Sequence, residues 1–179
     1  MTIETLARQG EQASHSGLAG LNAAALGKLR SAQMRNCFRH FCDTPDRMEY
    51  VAKIGDTVFL NDASARNVSA TWYSLESVEG PVVWIAVGSS RATDYAMLRQ
   101  VARQKVRVLI CVGDDIDQLM RDFSGVVPVV EEAFTVEEAV HKAYYNRAEV
   151  HRVIFSPACD CGNLNQRLGE RYNSEINEL

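Results

Sequence analysis

The sequence has no apolar run near the roughly 18 residues that a membrane-spanning helix needs. Its first residues, MTIETLARQGEQASHSG, have neither the basic start nor the apolar core of a signal peptide. A soluble, cytoplasmic protein with no membrane partner is the expectation. Excess positive charge is also missing, with 19 Lys and Arg against 23 Asp and Glu, a formal net charge of -4 and a pI near 5.6. Polyanion binders need a basic patch to displace counterions, so nucleic acid is excluded as a partner. Cysteine is scarce and odd in number, five in 179 residues, which does not suit a stapled secreted scaffold. Reduced thiols follow. The length and the 46% hydrophobic content fit one ordinary globular domain and leave no space for a second full catalytic one.

Residues 1–17 are polar and read as an N-terminal arm. Between 18 and 44, Leu18, Leu21, Ala25, Leu26 and Leu29 keep helical spacing, and Ser31 caps a second stripe of Met34, Cys37, Phe38 and Phe41. Pro45 closes this short helical segment, because proline cannot continue a helix and biases Thr44 toward extended backbone. Two β-prone runs, 48–54 and 57–60, then flank Gly55-Asp56 and predict an edge hairpin. Helices over 69–77, 94–104, 116–123 and 136–146 alternate with strands over 82–87, 106–112, 126–130 and 150–155. The runs VVWIAV and VLICV are apolar on both faces, as parallel strands covered by helices on either side are. The fold class is therefore α/β, a Rossmann-like doubly wound, mostly parallel sheet with an edge hairpin, preceded by the helical segment. Thr135 with Glu138 forms a capping box, and Asp94 or Thr93 caps the helix that follows it. A last helix, 163 to about 177, is charged and poor in large apolar residues, so a surface position is expected.

Strand carboxyl ends gather on one edge of such a sheet, where ligands bind. Four loops are expected there: 61–67, 88–91, 113–115 and 156–162. They offer amides, hydroxyls, carboxylates and arginines. Gly88-Ser89-Ser90 lacks the spacing of a dinucleotide loop and reads as a polar turn. Cys159 and Cys161, taken with Cys37, His40 and Cys42, are zinc-type ligands by element, yet Cys37 belongs to an apolar helical stripe and no metal is expected. His141 and His151 have no partner visible in sequence, and no catalytic residue is assigned.

The runs Asp46-Arg47-Met48-Glu49, Asn61-Asp62-Ala63-Ser64-Ala65-Arg66-Asn67, Gly80-Pro81-Val82-Val83 and Ser156-Pro157-Ala158-Cys159, in this order, resemble the C-terminal domain of the Mur ligases. These are the ATP-dependent ligases of peptidoglycan synthesis. The branch resembled most is the one that joins D-glutamate to UDP-N-acetylmuramoyl-L-alanine. The resemblance covers residues 45–179, and 18–44 more weakly resembles the helical end of the family's central domain. That central domain holds ATP phosphates on a Gly-x-x-x-x-Gly-Lys-[Ser/Thr] loop, together with magnesium ligands. This sequence contains no such loop.

By resemblance, Arg47 and Asp62 face the nucleotide, and Asn61, Asn67 and Ser156 are retained loop residues. Ser64 stands where the family has a lysine and Arg66 where it has a threonine. Arg91 takes the place of a second lysine, Cys161 of a serine and Leu168 of an aromatic. The family uses these positions for the carboxylates of D-glutamate, so the resemblance implies an altered amino-acid site. Arg91 keeps a positive charge, although an arginine fork does not replace a lysine point charge like for like. The resulting expectation is a non-catalytic Mur ligase C-terminal-like module, linked to peptidoglycan synthesis, with residual nucleotide or anion affinity. Its protein partner would replace the central domain. ATP and magnesium enter only through such a partner. The alternative is a fragment or in-trans subunit of the D-glutamate ligase, to which Arg47, Asp62 and Arg91 contribute.

Overall fold

A computed structural model describes residues 48–146 and 150–179. The expected arm, the helical segment before Pro45 and Arg47 lie outside the described residues. Six strands, β1 (Glu49–Ile54), β2 (Thr57–Asn61), β3 (Val82–Val87), β4 (Val106–Val112), β5 (Val129–Ala133) and β6 (Arg152–Phe155), form one sheet in the order β1-β2-β6-β3-β4-β5. Only the β1–β2 pairing is antiparallel, and it closes through Gly55 at φ 60, the left-handed turn conformation that glycine adopts without strain. The other ladders are parallel. This is the doubly wound sheet with an edge hairpin read from the sequence.

The helices are α1 (Val68–Ser77), α2 (Ala96–Lys105), α3 (Asp117–Phe123), α4 (Val136–Tyr145) and α5 (Asn163–Glu178). Strand period two divides the core between them. Val83, Ile85, Val108, Ile110, Val153 and Phe155 point to the face packed by Ala139, Val140 and Ala143 of α4 and by Tyr172 and Ile176 of α5. Trp84, Ala86, Leu109, Cys111 and Ile154 point to the opposite face, beneath α1, α2 and α3. Asn67 caps α1, accepting from the Ala70 N–H at 2.9 Å, and Thr135 caps α4, accepting from the Glu138 N–H at 3.2 Å. Asp94 accepts from the Ala96 N–H at 3.0 Å, while the Thr93 hydroxyl is turned to the Arg91 carbonyl. Among the described residues no helix is long and apolar enough to cross a membrane.

Two expectations need correction. The fifth strand runs Val129–Ala133, not 126–130. Val126 and Val127 are buried, but their N–H groups both return to the Phe123 carbonyl, and Pro128 has no N–H to add to a ladder. As an edge strand, β5 tolerates Glu131 and Glu132, so its hydrophobic peak is displaced from its centre. Helix α5 is also no surface appendage. It buries Asn165, Gly169, Tyr172 and Ile176, and Tyr172 stacks on Phe155 with ring centroids 5.3 Å apart. Asn and Gly in this i, i+4, i+7, i+11 stripe hide it from a reading by hydrophobicity.

Burial leaves an alkaline signature. It pushes the Tyr95 phenol from 10.0 up to about 12 and the Cys111 thiol from 9.0 up to about 12. Both groups are acids held neutral by the fold, so the unfolded chain loses these protons first as pH rises. Stability is complete below about pH 9 and falls between about pH 9 and 12. Thermal unfolding followed from pH 8 to 11 is expected to show this decline, and Tyr95→Phe should flatten the part above pH 10. An unchanged profile in that variant would assign the decline to other groups.

Candidate functional site

The carboxyl ends of β3, β4, β5 and β6 open on one edge of the sheet. Their turns are tied to neighbouring strands: the Gly88 N–H donates to the Val112 carbonyl at 2.8 Å, Gly113 to Ala133 at 3.0 Å and Ser156 to Ile85 at 3.0 Å. Gly88 has a steric reason to be glycine. A Cβ there would lie 2.6 Å from the Asp115 carbonyl oxygen, so the β3 and β4 loops approach too closely for any side chain.

A cleft of about 710 Å³ lies between these loops and the first turns of α5, within the range of small-molecule sites. Arg91, Cys161 and Leu168, separated by up to 77 positions in sequence, all line it. Arg171, one turn beyond Leu168, is a fourth wall residue that the sequence reading missed. The i, i+3 spacing from Leu168 was the signal for it. Arg171 also lies 3.7 Å from Glu137, whose carboxyl is held below its usual range, chiefly by a backbone hydrogen bond and further by Thr135 and Arg171. Asp114, Asp115 and Asp160 complete the charged lining. Guanidinium groups and carboxylates around one cleft suit a ligand carrying both a carboxylate and an ammonium group, or a carboxylate alone seated on the arginines.

A smaller cleft of about 320 Å³ adjoins it. It takes Arg66 and Asn67 from the loop after β2 and shares Ser89, Arg91 and Asp160 with the larger one. Of the four expected loops, 88–91, 113–115 and 156–162 therefore meet in the main cleft, and 61–67 reaches only its neighbour.

The remaining candidates lie inside. Asp62 is buried; its carboxylate accepts from the Ser156 hydroxyl at 3.0 Å and from the Met48 N–H at 3.3 Å. The Ser156 hydroxyl in turn meets that of Thr71 at 2.9 Å, and the Ser156 carbonyl accepts from the Trp84 indole at 2.9 Å. Asn61 is buried and donates to the Gly169 carbonyl and the Asn173 side chain, holding α5 against β2. The Ser64 hydroxyl is buried with no hydrogen-bond partner among the described residues. Asp62, Ser156 and Asn61 thus form the support beneath the loops and do not line the main cleft. His141 gains a partner the sequence did not reveal, Glu175 of α5 at 2.9 Å.

Among the described residues, no three His, Cys, Asp or Glu side chains gather in a way that could hold a metal ion. The donors among the described residues do not form a complete ATP–magnesium site either. Asp62 is engaged internally, and the sequence has no phosphate-binding lysine loop.

The sheet order, the edge hairpin and the cleft at the strand carboxyl ends define a domain of the Mur ligase C-terminal type. Among solved structures, a domain of a UDP-N-acetylmuramate:L-alanyl-γ-D-glutamyl-meso-diaminopimelate ligase from Haemophilus ducreyi matches 73% of this chain and 99% of its own length. Its TM-score is 0.51 and its identity 10%. A folylpolyglutamate synthase from Thermotoga maritima matches 76% of this chain and 33% of its own, with a TM-score of 0.52 and 15% identity. These likenesses concern the fold. No family model matches the chain.

Sequence relatives carry the family assignment. The UDP-N-acetylmuramoylalanine–D-glutamate ligase of Christiangramia forsetii is 32% identical over 171 residues, 96% of this chain and 38% of that ligase. The one from Porphyromonas gingivalis is 31% identical over 182 residues, all of this chain and 40% of the ligase. The chain belongs to the Mur ligase family and spans about 40% of the length of these relatives.

Proposed function

We propose that this domain is a ligand-binding module of the Mur ligase C-terminal type that does not catalyse by itself and acts in peptidoglycan synthesis beside an ATP-holding partner domain. The observation carrying this reading is the main cleft, which Arg91 of a loop and Arg171 of a helix both line. Burial holds the nearby Cys159 thiol well above its usual range, and Asp62 is committed to Ser156. The ligand class is a small carboxylate, D-glutamate included, bound more weakly than by an unaltered site because Ser64, Cys161 and Leu168 differ from the family pattern.

Thermal shift of the full chain with D-glutamate, phosphate, ADP and ATP tests it. A ligand that binds only the folded state at about 100 times its Kd stabilises by about 2.7 kcal/mol. The expected result is a shift with the carboxylate that weakens about tenfold in Arg91→Ala, the loss of one charge-assisted pair. A flat series would overturn the ligand, and ATP-dependent ligation of D-glutamate by the chain alone would overturn the non-catalytic reading.

A second reading is favoured by the 31–32% identity extending over nearly the whole chain: a part of a D-glutamate ligase that completes a partner's active site. Adding the chain to a ligase deprived of its C-terminal domain tests this, and absence of rescue ends it.

A further inference from the structure

The wall between the two clefts is made by Cys159-Asp160-Cys161, with Cys159 lining the smaller cleft and Cys161 the larger. The sulfurs of the two cysteines lie 3.3 Å apart. A disulfide needs about 2.05 Å, so a movement of little more than one ångström separates this pair from a bond. The loop is already fixed to hold them there. The buried Asn165 amide accepts from the Cys161 N–H at 3.0 Å and donates to the Cys159 carbonyl at 2.8 Å, and Asp160 accepts from the Gly162 N–H at 2.9 Å. The two thiols differ in access. Cys159 is 5% exposed and directed at the Val87 carbonyl, whereas Cys161 is half-buried on the cleft wall.

We propose that Cys159 and Cys161 are a dithiol modification site for low-molecular-weight disulfides, entered through the main cleft. In the first step the Cys161 thiolate attacks one sulfur of the small disulfide; a protein–small-molecule S–S bond forms and one small thiolate leaves. In the second, the Cys159 thiolate attacks the Cys161 sulfur, forms the intrachain S–S bond and expels the other small thiolate. The two protein protons end on the two small thiols, so the chain loses two electrons and the small disulfide gains them. Burial raises the Cys159 thiol above its usual range and keeps it from the first encounter, whereas its 3.3 Å distance from the Cys161 sulfur makes the second step intramolecular and offsets its low thiolate fraction. Cys111, fully buried in β4, provides an internal control. The product locks the wall that both clefts share, and this inference stands whether or not the cleft binds a carboxylate.

The test treats the full chain with excess oxidised glutathione, quenches in acid and analyses the tryptic peptide spanning residues 153–167, which contains both cysteines. The expected product is that peptide two hydrogens lighter, restored by dithiothreitol, with Cys111 unchanged. Cys159→Ser, or Cys159→Ala if the first folds poorly, should trap glutathione on Cys161 at about tenfold the wild-type level, since the resolving thiol is gone. Cys161→Ser should leave Cys159 unmodified. A stable glutathione adduct on wild-type Cys161, an unreacted peptide, or a bond joining either residue to Cys37 or Cys42 would overturn the proposal.

Discussion

Trp84→Ala is expected to lower the unfolding free energy by about 4–5 kcal/mol, a large part of the 5–15 kcal/mol typical of a domain. Trp84 is fully buried in β3, which lies between β6 and β4. Truncation removes a ring worth about 3–5 kcal/mol in comparable cores. It also removes the edge-to-face contact with Phe123, centroids 5.2 Å apart, and the indole donor to the Ser156 carbonyl. These contributions overlap, so they are not summed in full. For a chain of this size the change corresponds to a fall in Tm of roughly 10–15 °C. Trp84→Phe separates the parts: it keeps most of the packing, leaves the Ser156 carbonyl without this donor, and should cost about 1–2 kcal/mol. Urea unfolding followed by far-UV circular dichroism measures both. A loss below 1 kcal/mol in the alanine variant would remove Trp84 from the centre of the core.

The same indole bond links stability to the site. Ser156 ends β6, receives the Trp84 N–H on its carbonyl and gives its hydroxyl to Asp62. Sequence periodicity was sufficient to place Trp84 on a strand buried on both faces, because VVWIAV has no polar position. It was not sufficient to show the partners of Asp62, because only the return of β6 beside β2 brings Ser156 to its carboxylate. Arg91 and Cys161 were legible as loop residues at strand ends, and Leu168 from the family pattern. Arg171 was legible only through its i, i+3 spacing from Leu168, since one exposed arginine in a charged helix otherwise resembles its neighbours. Helix α5 as a whole was underestimated for a related reason: its contact stripe uses Asn165 and Gly169, where close approach replaces hydrophobic area.

Gly169 makes that close approach measurable, and Gly169→Val is expected to destabilise by about 3 kcal/mol. A Cβ at this position would lie 2.6 Å from the Ala63 methyl and 3.2 Å from both terminal atoms of the Asn61 amide. Real carbon atoms do not sit at 2.6 Å, and the Ala63 methyl has no torsion by which to retreat, so the helix itself has to move. Moving it stretches the Asn61 bond to the Gly169 carbonyl, now 3.3 Å, and withdraws Leu168 and Arg171 from the cleft. Gly169→Ala sets two opposing effects against each other. Helix propensity favours alanine by about 1 kcal/mol, while overpacking opposes it by about 1–3 kcal/mol. The clash is with a fixed methyl, so net destabilisation is expected. Removing that methyl reverses the sign: in Ala63→Gly with Gly169→Ala the contact is restored with the two side chains exchanged. The double variant should be more stable than the sum of its singles by at least about 1 kcal/mol, the range found for residues in direct contact. Additive energies would mean that α5 adjusts freely over the β2 loop, and the positions of Leu168 and Arg171 in the cleft would then not depend on Gly169.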